Sequence, residues 1–277
     1  SAAKGVISGF FNPTYDAAAR IPIPEKYWAY DPAENITYEL GWKANWLGGD
    51  LTTELTLFYI DYTDIQISAS IPPEEGAFFT NVIQNIGDAT GQGFELAVNW
   101  RINDNWTTGV TYSYAPTEFG YGTIDPGMSR YCGGNAGLVA GFCPSTTFNG
   151  RLQPLVEGEP LPRSPDTLAS GYLSFGMGVG NGWNLMARAD VSYTGEVPQY
   201  SLPFAYWASR TLVNARIGMS RGPLDIALWA RNLGDEKYVS AGINQPATTT
   251  PLLFTPNVSL GERRTYGLTV GYSFGGK

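Results

Sequence analysis

Residues 265–274 alternate strictly between two kinds of side chain. Tyr266, Leu268, Val270, Tyr272 and Phe274 are apolar or aromatic, whereas Thr265, Gly267, Thr269, Gly271 and Ser273 are small or polar. Side chains alternate faces along a strand, so this period predicts a strand with one greasy face and one wettable face. The same period recurs and predicts about ten strands. The first, around residues 4–11, is the weakest. The second sets Ile36, Tyr38, Leu40, Trp42, Ala44 and Trp46 opposite Thr37, Glu39, Gly41, Lys43 and Asn45. The third sets Leu55, Leu57 and Tyr59 opposite Glu54 and Thr56 and runs on towards Ser68. The fourth covers about residues 81–102, with Phe94, Leu96, Val98 and Trp100 opposite Glu95, Ala97, Asn99 and Arg101. Further strands are expected at about 106–114, 169–177, 184–193, 213–219 and 224–231.

The connections alternate in length. Short turns fall near residues 48, 104, 181 and 222, and five longer loops separate them. The longest loop, about 116–165, is rich in Pro and Gly. A soluble sandwich could use such strands by packing the greasy face on a core. A transmembrane barrel turns that face to lipid and joins its strands by short turns on one side and long loops on the other. Trp46, Trp100, Trp106, Trp183 and Phe274 sit at short-turn ends, and Tyr59, Tyr112, Tyr114, Tyr193 and Tyr266 sit about eight residues further along. Eight residues at about 3.3 Å, tilted by about 40°, cover roughly 20 Å, close to the height of the apolar band. Aromatics at two such levels favour an all-β, antiparallel transmembrane barrel with its long loops, including the Cys-containing one at about 116–165, outside the cell.

Composition agrees. Charged residues are 15% of the chain, against about 25% in an average globular protein, while Gly (34), Tyr (17) and Trp (8) are abundant, as strands, tight turns and aromatic belts require. A net charge of −8 leaves no basic footprint for nucleic acid. No run of 18 apolar residues predicts a transmembrane helix, and the first residues carry no basic-then-apolar leader. The absence of histidine removes Ser-His-Asp and Cys-His catalysis, His-ligated zinc and the usual general base near neutral pH. No enzyme activity, cofactor or metal is therefore expected. Cys132 and Cys143, 11 apart, are expected to form a disulfide in an oxidising compartment. Closing so short a loop contributes about 3 kcal/mol on the chain-entropy model. The alternative, a reactive thiol, has no supporting base nearby in the sequence.

Several phrases carry a family resemblance: Tyr38-Glu39-Leu40-Gly41-Trp42-Lys43; Phe58-Tyr59-Ile60-Asp61-Tyr62-Thr63-Asp64; Asn85-Ile86-Gly87-Asp88-Ala89 with Gly93-Phe94-Glu95-Leu96; Leu161-Pro162-Arg163-Ser164-Pro165; and Arg231-Asn232-Leu233-Gly234-Asp235-Glu236-Lys237-Tyr238, followed by Gly261-Glu262-Arg263-Arg264-Thr265-Tyr266-Gly267. In order and spacing these phrases resemble the C-terminal portion of a TonB-dependent outer-membrane receptor. The resemblance implies a 22-stranded barrel filled by an N-terminal plug. The plug and the N-terminal strands are expected elsewhere, on the same or a separate polypeptide. Ten strands closing alone would make a tube of roughly 20 Å diameter, which should fill its interior with interlocked side chains. The inward positions here are mostly Thr, Ser, Gly and Asn, which suits one wall of a wide lumen. Members of the family end in an aromatic residue read by the barrel-insertion machinery, here Phe274, with Gly275-Gly276-Lys277 as a departure.

Charges recur on the inward face: Glu39, Lys43, Glu54, Glu95, Arg101, Arg188, Asp190, Arg216, Asp225 and Arg231. They could hold a plug or line a ligand path, or they could pair within the wall across adjacent strands. The loops are rich in aromatics: Tyr27, Trp28 and Tyr30; Phe78 and Phe79; Tyr121, Tyr131 and Phe142; and Phe204, Tyr206 and Trp207. Trp28, Tyr131, Phe142, Tyr206 and Trp207 are candidates for stacking on a ligand at the mouth, the alternative being packing between loops. Gly91-Gln92-Gly93 sits inside a strand and opens no helix, so a phosphate loop is excluded. Asp61 with Asp64, or Glu74 with Glu75, could bind Ca²⁺ but read more simply as solvated loop charge.

The expected function is energy-coupled uptake of a scarce nutrient, such as an iron–siderophore complex, across the outer membrane of a Gram-negative bacterium. Its partners would be the plug and remaining strands, a TonB-type coupling protein, outer-membrane lipid and a small-molecule ligand, with no nucleic acid. A passive porin-like channel and a structural receptor remnant in a larger assembly remain as alternatives.

Overall fold

The computed structural model describes residues 1–277 apart from 17–20, 72–79, 130, 149, 204, 247–253 and 275–277. Glu74, Glu75, Phe78, Phe79, Phe204 and the last three residues therefore lie outside the described residues. Ten strands form one antiparallel sheet in chain order: β1 (Ala2–Ile7), β2 (Ala33–Trp46), β3 (Leu51–Thr63), β4 (Ala89–Arg101), β5 (Trp106–Tyr114), β6 (Thr167–Gly180), β7 (Trp183–Thr194), β8 (Arg210–Arg221), β9 (Leu224–Arg231) and β10 (Thr265–Tyr272). Each pairs with the next, and β1 and β10 have one neighbour each, so the sheet is an open wall.

The register sets like against like. Leu40 faces Leu57, Leu55 faces Leu96, Val98 faces Val110, Ile217 faces Leu228 and Leu228 faces Leu268. A shift of one residue would turn this whole set to the other face, so the apolar pattern fixes the pairing. These side chains are not a core: Leu268 is 62% exposed and Tyr266 80%. They form the surface that a barrel gives to lipid, while the ladder satisfies the backbone as a membrane requires. Trp46 and Trp100 both pair with Leu51 at the short-turn end, as an interfacial belt. The short turns use residues that tolerate the left-handed region. Gly180, Asn181 and Gly182 all have positive φ (89°, 52° and 74°) between β6 and β7.

The buried core lies outside the wall, in a cap built from the long loop. The cap holds a short strand (Thr117–Phe119) on the upper end of β4, a 3-10 turn (Pro126–Met128), helix α1 (Gly134–Val139) and a hairpin of Ser145–Phe148 with Arg151–Pro154. Phe119, Met128, Tyr131, Leu138 and Val156 pack with Ile86 and Ala89 below them and Leu202 from the next loop. Helix α1 has six residues, two of them glycine, and no side-chain N-cap. Such a segment does not hold itself helical; packing and the disulfide that brackets it do.

Three expectations need correcting. The third and fourth strands do not run unbroken to Ser68 and from Asn81. Asp64 (φ 54°) and Gly87 (φ 131°) interrupt them, and a separate hairpin, Gln66–Ile71 with Thr80–Asn85, continues above. The break is set by Thr123 of the cap, whose Oγ1 would lie 2.5 Å from a Cβ at position 87. The first strand stops at Ile7, because Phe10–Phe11 pairs instead with Ala29–Tyr30. The last strand stops at Tyr272, before Phe274. Between β9 and β10 a further hairpin pairs Val239–Pro246 with Phe254–Leu260.

Candidate functional site

The wettable face of the wall carries its charges in pairs. Lys43 bridges to Glu54 at 2.9 Å, Arg216 to Asp225 at 3.1 Å, and Arg188 to Asp190, two residues along its own strand, at 2.7 Å. Arg101 bridges to Asp50 beside a short turn. All of these side chains are substantially exposed, so water screens each pair and its main effect is to fix side-chain direction. The Glu39 carboxylate accepts from Ser1 Oγ at 3.2 Å. Among the described residues, Glu95 and Arg231 form no salt bridge. Glu95 lines a hollow of about 470 Å³ with Thr56, Thr111, Ser113, Ser170 and Ser192. Arg231 borders another, of about 450 Å³, with Asn214, Trp229 and Thr269.

A second motif lays aromatic rings over glycines on this face. Tyr172 pairs with Gly109, and its ring lies where a Cβ on Gly109 would come within 2.5 Å of it. Trp229 covers Gly267 in the same way, at 2.6 Å. An arginine covers each ring: Arg188 stands 4.1 Å from the Tyr172 centroid and Arg231 5.3 Å from that of Trp229. Tyr238, over Gly261, carries Arg210 at 5.0 Å. Glycine within a strand signals close approach by another group, so Gly109 and Gly267 were the sequence clue to these rings.

The mouth is tied together by polar side chains. Asn12 donates to the carbonyls of Tyr27 and Ile83 and accepts from the Ile83 N–H. Asn85 donates to the carbonyls of Asp31 and Asp64. Asn232 donates to the carbonyls of Glu236 and Glu262, closing the last loop over β9. Arg263 donates twice to Asp235, at 2.9 and 2.5 Å, and holds that carboxyl well below the usual carboxylate range. In the sequence Asn12 does not stand out, and Asn85 and Asn232 stand only within the phrases that carry the family resemblance, because an isolated Asn has no periodic signal.

The candidate mouth aromatics divide. Tyr131 is 3% exposed and its ring meets Tyr200 at 4.8 Å, so it belongs to the cap's core. Trp28 donates its indole N–H to the Ile23 carbonyl at 2.7 Å and stays 38% exposed. Phe142 (51%) and Tyr206 (44%) are the open ones, and Trp207 is half-buried beside Val197. Burial first, then the charges of Glu159, Glu196 and Asp166, push the Tyr206 phenol up, so at neutral pH it is a neutral donor beside an acidic rim. Cys132 and Cys143 are bonded (S–S 2.05 Å) inside the cap. Phe274 is 88% exposed and packs on Tyr272 at 4.8 Å. Among the described residues no three His, Cys, Asp or Glu side chains cluster as metal ligands would.

Known proteins share this architecture. The family model described as TonB dependent receptor-like, beta-barrel, matches residues 8–233. A probable TonB-dependent siderophore receptor, PiuA of Acinetobacter baumannii, is 26% identical over 212 residues, covering 75% of this chain and 24% of its own. The ferric-pyoverdine BN7/BN8 receptor of Pseudomonas putida is 31% identical over 87 residues, 31% of this chain and 10% of its own. Among solved structures, the ferric yersiniabactin uptake receptor FyuA of Yersinia pestis superposes with a TM-score of 0.68 over 99% of this chain and 34% of its own, at 17% identity. The ferripyoverdine receptor of Pseudomonas aeruginosa does so with 0.58 over 98% and 30%, at 16% identity. The chain thus spans about a quarter of PiuA and about a third of FyuA. The greasy outer face, the short turns and the capped mouth are those of an outer-membrane β-barrel of Gram-negative bacteria, and the chain belongs to the TonB-dependent receptor family, as part of its barrel.

Proposed function

We propose that this chain supplies part of the wall and mouth of an energy-coupled importer of iron–siderophore complexes. One observation carries the reading: a ten-stranded wall that does not close on itself and whose inner face is wettable. A stand-alone tube of ten strands would need β1 paired with β10 and an interlocked interior. A wall facing a plug needs neither. Among the described residues Glu95 and Arg231 form no salt bridge, so they are positions at which a plug would find a free charge. The siderophore class comes from the relatives, whose names include siderophore, pyoverdine and yersiniabactin receptors.

The reading is tested by uptake of iron-loaded siderophores into cells expressing the full receptor, with and without the TonB system. Uptake that stops without TonB supports it. Uptake that persists points to a passive channel and overturns it. Glu95→Gln and Arg231→Gln should raise the passive conductance of the full receptor in planar bilayers, as a plug less firmly held would.

A further inference from the structure

The outward face of β6 to β9 is unevenly filled. One row reads Leu173, Ala189, Ala215 and Ala230, and the row nearer the short turns reads Phe175, Ala187, Ile217 and Leu228. The four alanines leave a hollow of about 490 Å³, walled by Trp106, Phe175 and Leu228 and almost wholly apolar. The same face carries a cation. Arg221 ends β8 in step with Met219 and Ile217, so it points outward at the short-turn side. Its guanidinium stands 5.8 Å from the centroid of Trp183, and among the described residues it forms no salt bridge, whereas Arg101, Arg188 and Arg216 all pair with carboxylates.

Depth relates the two features. Six residues lead from Arg221 to Ala215, about 20 Å of strand, or about 15 Å of depth at a tilt of about 40°. Half of the roughly 25 Å apolar band of an outer-membrane barrel is about 12 Å, so the hollow lies near the inner end of one acyl leaflet. We propose that this face binds a glycerophospholipid of the periplasmic leaflet. Its phosphate would sit on Arg221, its glycerol region beside Trp183, and one acyl chain would run over Leu185 and Met219 into the alanine hollow. Charge selects the occupant. An apolar helix or a second barrel could fill the hollow, but neither brings the anion that Arg221 lacks.

The test uses the full-length receptor, stripped of lipid in mild detergent and titrated with dioleoylphosphatidylglycerol under native mass spectrometry. Wild type should retain one lipid. Arg221→Gln should weaken it by about fivefold, the effect of one basic side chain at an anionic headgroup. Dioleoylglycerol, which lacks the phosphate, should bind wild type and the Arg221→Gln variant alike. Ala189→Leu with Ala215→Leu should abolish retention while heat-modifiable gel mobility reports an intact barrel. If that double substitution prevents folding, Arg221→Gln and the phosphate-free lipid decide the matter alone. Equal phosphatidylglycerol binding by wild type and Arg221→Gln overturns the proposal, as does retention after the hollow is filled. A preference for lipid A also overturns it, and so does a wild-type dimer that the filled variant abolishes.

Discussion

The Ser201 hydroxyl donates to the Asp125 carboxylate at 2.5 Å and joins two loops that lie 76 residues apart in sequence. Asp125 is 6% exposed and also accepts from the Gly127 N–H at 2.9 Å. Burial pushes its pKa up, and the donors offset only part of that. The sign follows from linkage: a carboxyl harder to ionise in the folded state costs stability once it is charged. That cost is absent below the ordinary carboxylate pKa and develops as pH rises through the raised one. Protection of residues 199–203 from hydrogen exchange should therefore increase as pH falls from neutral towards the carboxylate range. Asp125→Asn should flatten this dependence. Ser201→Ala should lower protection by about 1–3 kcal/mol, the cost of a buried acceptor left with fewer donors.

The disulfide should act on the cap alone. Cys132 is fully buried and Cys143 is 6% exposed, so a reductant reaches them only after the cap opens. Replacing both by serine should cost the cap about 3 kcal/mol through loop closure, and α1, with its two glycines, should exchange first. Below the three-residue contact of Thr117–Phe119 with β4 the wall should be unaffected, since the rest of its ladder pairs only within the ten strands. Proteolysis within 129–144 together with unchanged heat-modifiable mobility would check both halves of this expectation.

On the lumen wall, Gly109 and Tyr172 form the pair to test. Gly109→Val should force the ring off the wall and cost about 1–3 kcal/mol by overpacking. Tyr172→Ala on its own removes the ring and the seat of Arg188. If the glycine is there to admit the ring, Gly109→Val should cost clearly less once Tyr172 is alanine, the remainder being the contact with Asn99 Oδ1, 2.9 Å from a Cβ at position 109. A double-mutant cycle on thermal unfolding of the full receptor measures that coupling. Additive effects would show that Gly109 is tolerated for another reason.

What could be read from the sequence followed from the alternating period. Leu40, Leu57, Leu96 and Val98 lie on one face in the chain, and the register confirms them there, because a period of two is a property of each strand on its own. The break at Asp64 and Gly87 could not be read, because Thr123, which occupies the space beside Gly87, is 36 residues away. The alternation of the fourth strand is clear only from Phe94 onward, so nothing in the period of residues 81–93 marks where the strand begins. The cap was equally hidden: residues 134–139 have no helical period, and Tyr131 looks like any other loop aromatic until Tyr200 is brought against it. Asn12, Asn85 and Asn232 work by satisfying carbonyls that only the fold brings within reach. Pairing of Lys43 with Glu54 and of Arg216 with Asp225 was legible as a possibility, since cross-strand neighbours follow from the register. Which charges would be left over was not.

Tyr131 and Tyr206 should separate packing from ligand capture. Both are tyrosines in adjacent long loops, yet Tyr131 is 3% exposed and Tyr206 is 44% exposed. Tyr131→Ala removes a buried ring from the cap and should cost about 3 kcal/mol or more of local stability. Any loss of ligand binding should then track loss of cap protection. Tyr206→Ala removes a neutral donor and an open ring from the acidic rim, with little packing to lose, so protection should stay at the wild-type level. If Tyr206 contacts the ligand, affinity for an iron-loaded siderophore should fall by about tenfold, the worth of a stacked or hydrogen-bonded aromatic of roughly 1.4 kcal/mol. Titration of ligand by tryptophan-fluorescence quenching, run beside hydrogen exchange on the same samples, reads both quantities. Unchanged affinity in Tyr206→Ala would remove that residue from the binding surface and leave Phe142 and Trp28 as the exposed aromatics to test next.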